Sequence, residues 1–508
     1  MIKLSKRTYY VAIFAVAWAF AQVAGAQQQG ASSKSVDSAF ACGSKMESDV
    51  WRLWDSRGFE LAKNQLIEKR LLNSGDSYAL YDFEASFHNL LEMAQRCKRA
   101  DRQQQIAKLI DAAYGALSAS KGQPGRAWIC RGGTTCNTKN RLLDTEIVLN
   151  SSQFLALATD AADGLDESDS SEFSREFREK TTRVSLEHLI RWSNSSMRSG
   201  LRKRIDATPA DIKDGSSALF LMDSDLWQVA AYSNLAGIVK NRPQWLKESG
   251  VDEDEFALMR EHLTLLLRLI KTRTTLQNTL IDGKKSMVAD LDEGFRRLHA
   301  DNRFAGYSGN EKPINCTRGG ESQIAGGKNN LQKSIQKTDP VGNLGLDISH
   351  ARRLVHFFAA IERNRDALSK VFQIPLPEIP PQEVVTAFAR QLRLKVWNQD
   401  QEKPLFTNYF NGANGWYRVG YDNGGSQCAE GYPPFGLTNS FPTGGYITWS
   451  AAEPILGRLG RQIYALTQSD DKSNQAFVEK YYANLRASAS GDAQVIEKLM
   501  FWPSLIAR

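Results

Sequence analysis

The run from Asn408 to Ser450, NYFNGANGWYRVGYDNGGSQCAEGYPPFGLTNSFPTGGYITWS, joins aromatic rings, amides and glycines and carries few charges. Eleven aromatic residues and nine glycines lie between Leu405 and Trp449, a density that a passive connection does not need. Tyr and Trp combine an apolar body with a polar tip. Glycine lets the backbone approach a ligand closely. A sugar ring asks for this mixture, because rings cover its C–H faces while amides, carboxylates and Arg satisfy its hydroxyls. Trp416 and Tyr432 are candidate stacking rings, and Asn414, Asn439, Glu430 and Asp422 are candidate hydroxyl partners. The competing reading is a buried plug. The number of amides weighs toward a ligand.

Two short segments offer proton chemistry. In WYRVGY an extended backbone puts Tyr417, Val419 and Tyr421 on one face and Trp416 and Arg418 on the other. A tyrosine beside Arg418 can take or give a proton at a sugar carbon. The plainer role for Arg418 is an ion pair with Asp422. In LGLDISHARRLVHFF, Asp347 is an N-cap type and His350 falls in the first turn. Leu354 and Phe358 follow His350 at i+4 and i+8, so His350 belongs to the inward face, with Arg353 beside it. A helix N-terminus biases the imidazole toward its neutral form. Weaker candidates are Asp225, Trp227, Gln228 and Tyr232 near one helix start, and Tyr78 with Asp82 one turn apart; both sets read equally as caps and core.

Long helices must hold these segments. Apolar periodicity predicts helices over 46–71, 76–98, 101–119, 142–162, 170–195, 217–240, 252–277, 284–299, 347–372, 381–398, 450–467, 471–486 and 490–500. Strand signals cluster near Cys130–Cys136 and inside the aromatic loop. Irregular stretches at 300–346 and 403–449 interrupt the helices, and the second is too aromatic for disorder. No repeat of fixed period is present. Long helices with aromatic loops gathered at one end fit a mainly α, (α/α) toroid-like body over 41–508.

The first residues, MIKLSKRTYYVAIFAVAWAFAQVAGA, read as a signal peptide over 1–26, followed by a flexible linker over 27–40. The expected location is therefore periplasmic or secreted, and no later segment reads as a membrane span. The formal charge of +7 is too mild to argue for nucleic acid. An even set of six cysteines after the signal suggests disulfides. Cys130–Cys136 flanks a turn-forming RGGTT, and the remaining four allow three pairings, of which Cys42–Cys97 with Cys316–Cys428 joins neighbours in chain order. No metal set is expected, since no CxxC occurs and His is scarce. GxSxG, P-loop, HExxH and Rossmann patterns are absent, so no cofactor is implied.

With DISHARR and a late NGWYRVGY…GYPPFGLTNSFPTGGY, the chain resembles the α/α-toroid carbohydrate-active enzymes, among them polysaccharide lyases and uronyl epimerases. The Asn-His sequence of the alginate-lyase type is missing. The resemblance implies a proton-transferring tyrosine, Tyr417 or Tyr421, and neutralisation of a uronate carboxylate by His350 with Arg353 or Arg418. The expected function is β-elimination on an acidic polysaccharide. A glycoside hydrolase would instead pair Asp422 or Glu430 with Asp82 or Asp225. A non-catalytic glycan-binding factor in polysaccharide export would use the same aromatic surface alone.

Overall fold

The computed structural model describes residues 38–507 except 121–123, 138–140, 166–170, 214–216, 282, 315–334, 336–337 and 422–428. The expected signal segment, most of the expected linker, Asp422 and the expected Cys316–Cys428 bond lie outside the described residues. The Cys42–Cys97 and Cys130–Cys136 bonds are both formed.

Helices that are apolar or small on every side must be interior. Every residue from Asp225 to Val239 is buried in the Asp223–Val239 helix, and every residue from Asn150 to Ala162 in the Val148–Gly164 helix. The Tyr78–Arg96 helix packs on Val148–Gly164, that helix on Asp223–Val239, and that in turn on Arg353–Phe372. Small residues bring these backbones together. A Cβ on Gly237 would strike the side chains of Asn364 and Asp163.

Amphipathic helices cover this inner set. Ala100–Ala113 lies against Tyr78–Arg96 and Val148–Gly164, while Glu172–Trp192 and Glu253–Arg273 lie against Asp223–Val239. Their starts are chemically set: Ser171 accepts the Ser174 N–H, and Asp252 forms a reciprocal capping box with Glu255. The C-terminal Asp492–Leu505 helix packs back on Tyr78–Arg96. Ala41 pairs in parallel with Ala507, which brings the two ends of the described body together. Residues from Asp37 onward form one compact unit.

Helices Ser195–Asp206 and Gln244–Glu248 were not expected from periodicity. The predicted helix over 284–299 is wrong. Thr274–Ile281 and Lys284–Leu291 form an antiparallel hairpin in which Ile281 faces Lys284 across a two-residue turn. Asp282-Gly283 is a hairpin-turn sequence, and Gly283 has the positive φ, +75°, that such a turn requires. The strand signal near Cys130 is real: Arg126–Cys130 pairs with Leu117–Ala119 and Thr145–Glu146. Inside the aromatic loop the described residues form isolated bridges, such as Tyr417 with Tyr432, and two short helical turns, Ser440–Thr443 and Tyr446–Ala451.

Candidate functional site

Asp347 caps the Ile348–Ala351 helix, accepting the N–H groups of Ser349 at 3.0 Å and His350 at 3.1 Å. Its second oxygen lies 2.6 Å from His350 Nδ1. A carboxylate only accepts, so Nδ1 carries a proton in this contact and Nε2 is the nitrogen turned away from Asp347. Burial opposes ionisation of Asp347, but the charge and hydrogen bond of His350, with the Ser349 hydroxyl, outweigh it and hold the carboxyl far below its usual range.

Residues from distant parts of the chain converge on this ring. Tyr417 Oη stands 3.3 Å from Nδ1, and Arg418 Nη2 stands 3.5 Å from Nε2. Asp223, the first residue of an inner helix, lies 3.8 Å from Nε2 and 3.3 Å from Arg353 Nη2. Arg353 also donates to Tyr81 Oη at 2.8 Å and to the Ser349 carbonyl. Burial disfavours a charged Asp223, yet Arg353 and His350 hold its carboxyl low. Burial, reinforced by Asp347, pushes the Tyr417 hydroxyl well above the ordinary phenol, so Tyr417 keeps its proton.

Arg418 occupies the left-handed region, φ +52°, which is costly for a side chain with a Cβ. Asp301 holds it there: its carbonyl accepts the Arg418 N–H at 2.8 Å and its carboxylate meets Nε at 3.1 Å. The guanidinium covers the Tyr421 ring at 4.4 Å and the Tyr417 ring at 5.3 Å. His350 is 18 % exposed in its side chain, Arg418 31 %, and Tyr432 is 48 % exposed, so this cluster is reachable. Arg353, at 2 %, is not.

The structure thus brings together His350, Tyr417, Tyr421, Arg418 and Arg353, with Tyr432 bridged to Tyr417. The other candidates lie elsewhere. Trp416 is buried against Phe304 and Ile335, and its Nε1 donates to the Gly309 carbonyl, so it is core and not a stacking platform. Asn414 accepts the N–H groups of Asn408 and Phe435, and Asn439 donates to Glu497. The buried Asn408 side chain serves the Gly415, Pro433 and Leu437 backbone. These amides are the loop's internal hydrogen bonds, which a folded plug of this length needs. Glu430 pairs with Lys312, and Asp82 with Arg70. Asp225 takes both arms of Arg204 at 2.7 and 2.8 Å. The three described carboxylates proposed for a hydrolase are therefore engaged by cations.

Three residues of this cluster were not singled out in the sequence. Tyr81 belongs to a segment read for Tyr78 and Asp82, Asp223 to one read for Asp225, and Asp301 carried no signal at all.

A second histidine cluster lies deeper between the inner helices. The His88 and His356 rings stack in parallel, with centroids 3.7 Å apart and planes 4° from each other. The buried Trp227 lies beside the pair, its ring 6.2 Å from His88 and 6.0 Å from His356. His88 meets Glu84 at 2.8 Å and Asp160 at 3.2 Å; His356 meets Glu92 at 2.9 Å. Burial works against a charged His88, but the two carboxylates outweigh it and raise the ring to about 10. In-plane lone pairs on two parallel stacked rings do not converge on one point, so this arrangement does not form a two-histidine metal centre.

No family model matches the chain, and searches of curated proteins and of solved structures give no match.

Proposed function

We propose that the chain is an exported glycan-active enzyme, a polysaccharide lyase that acts by β-elimination on an acidic polysaccharide. The observation that carries this reading is the convergence of His350, Arg418 and two tyrosines on a partly open surface. β-Elimination needs a cation against the uronate carboxylate, a base for the α-proton and an acid for the leaving oxygen. Arg418 is the reachable cation. His350 Nε2, its tautomer fixed by Asp347, is the base. Tyr421 lies against Arg418 on the open side and is the acid; the buried Tyr417, which holds its proton, donates toward the same substrate. In the reaction the C5–H bond breaks to His350, C4=C5 forms, and the C4–O bond breaks as its oxygen takes the Tyr421 proton.

The wider architecture proposed is a helical toroid. The sequential packing of the inner helices and the return of the C-terminal helix onto Tyr78–Arg96 support it. The two disulfides, and the lack among the described residues of a helix long and apolar enough to cross a membrane, are compatible with an extracytoplasmic location.

The test is a screen of purified protein against acidic and neutral polysaccharides, reading reducing ends and ultraviolet absorbance of unsaturated products together. Both signals on an acidic substrate, lost in Arg418→Ala, are expected. Reducing ends without unsaturation would replace the lyase by a hydrolase. Binding without either product would leave a glycan-binding factor.

A further inference from the structure

Where the Gln382–Gln391 helix packs on the Lys284–Leu291 strand, a cavity of about 90 Å³ opens, with Asn343 and Asn411 at its wall. Asp290, Glu293 and Gln391 are among its lining residues. Asp290 is 94 % buried by residue; its Oδ1 accepts the Leu291 N–H at 2.7 Å, and its Oδ2 accepts nothing among the described residues. Gln391 is 95 % buried. Its Nε2 is spent on the Phe410 carbonyl at 3.1 Å, so its carbonyl oxygen is the end left without a donor. Glu293, half-buried, adds a second carboxylate.

The neighbouring Asp292 shows what a satisfied carboxylate looks like here. Arg273 and Arg296 each meet one of its oxygens at 3.1 Å. Asp290 and Glu293 form no such pair among the described residues. Lys395 lines the cavity but is an exposed residue and forms no ion pair with either carboxylate. A buried carboxylate without a counter-charge is costly. Two carboxylates without an ion-pair partner among the described residues, beside an amide whose Nε2 is already spent, offer the oxygen ligands that a hard cation takes.

We propose that this cavity binds one hard divalent cation of the calcium class through the carboxylates of Asp290 and Glu293 and the Gln391 carbonyl oxygen. Water can complete the oxygen set, because the Asn411 oxygen accepts the Ala413 N–H and its Nδ2 donates to Asn343. The ion would join the hairpin to the Gln382–Gln391 helix, with Asn411 of the aromatic loop beside it. The site is separate from the His350 cluster and does not depend on the lyase reading.

The experiment titrates chelator-dialysed full-length protein with calcium and then magnesium chloride, by calorimetry and thermal melting. One calcium should bind in the range of about 10⁻⁴–10⁻³ M typical of extracellular modules, with a raised melting temperature. Magnesium should bind more weakly, because it dehydrates reluctantly. Asp290→Asn and Glu293→Gln should each weaken calcium by about tenfold or more. If Asp290→Asn does not fold, the half-buried Glu293→Gln carries the test. No heat and no melting shift up to about 10 mM of either ion overturns the proposal, as does binding that both variants leave intact. Calcium binding that appears only in Lys395→Met also overturns it, since the lysine would then be the native counter-charge.

Discussion

His350 and His88 stand against the same kinds of neighbour, carboxylates, arginines and aromatic rings, yet their surroundings are finished differently. Around His88 both ring nitrogens are taken, by the buried carboxylates of Glu84 and Asp160. Around His350 one nitrogen is fixed by Asp347, while the other faces Arg418 and Asp223 at 3.5 and 3.8 Å, too far for a strong bond. Completed networks set helix register, and incomplete ones at a surface keep capacity for a substrate. Residue type therefore separates the two clusters less well than the saturation of their hydrogen bonds.

That contrast can be broken by paired substitutions. His350→Gln keeps a donor for Asp347 but removes the proposed base, so turnover should fall about 10²–10⁴-fold while melting is nearly unchanged. Unfolding of this variant would erase the distinction. His88→Leu should do the reverse. It strands buried carboxylates, at a cost of about 3–5 kcal/mol in denaturant titration. The aromatic loop holds a smaller version of the same contrast. Trp416→Ala should cost about 3–5 kcal/mol of stability, as for other buried rings. Tyr432→Ala should leave stability alone and weaken glycan binding by about 1–2 kcal/mol, since its ring is only partly covered. Equal effects of both on binding would restore Trp416 as a contact residue.

The smallest expected effect is a pH dependence. His88 is raised from 6.5 to about 10 in the fold, so its stabilisation is complete below about pH 6.5 and is lost as pH rises through about 10. Denaturant midpoints should decline across that window in the parent and decline less in His88→Gln. Equal slopes would show that other groups govern alkaline stability.

The helices were legible because their apolar period is strong, and the cap before His350 was legible because Asp347 is an N-cap type. The hairpin at 274–291 was lost to the helical run before it, although Thr274, Thr275 and Thr279 with the Asp282-Gly283 pair carried the strand and turn signals. Asp301 could not have been read. It reaches Arg418 across more than a hundred residues, and no local pattern encodes that contact. Trp416 was misread because a ring that stacks on a ligand and a ring that fills a core are the same residue; only burial tells them apart. The loop amides were misread for a related reason, since irregular backbone consumes as many hydrogen bonds as a ligand would.

The pairing of Ala41 with Ala507, with Cys42 N–H on the Ala507 carbonyl and Ala507 N–H on the Phe40 carbonyl, makes the described body a nearly closed loop of chain. A short peptide could splice position 507 to position 38 at little entropic cost. New termini could then be opened at the exposed hairpin turn beside Gly283. Such a permutant would keep every inner helix and both histidine clusters while placing the half after the hairpin turn ahead of the half before it. It would thereby separate what this architecture owes to its contacts from what it owes to the order of its chain.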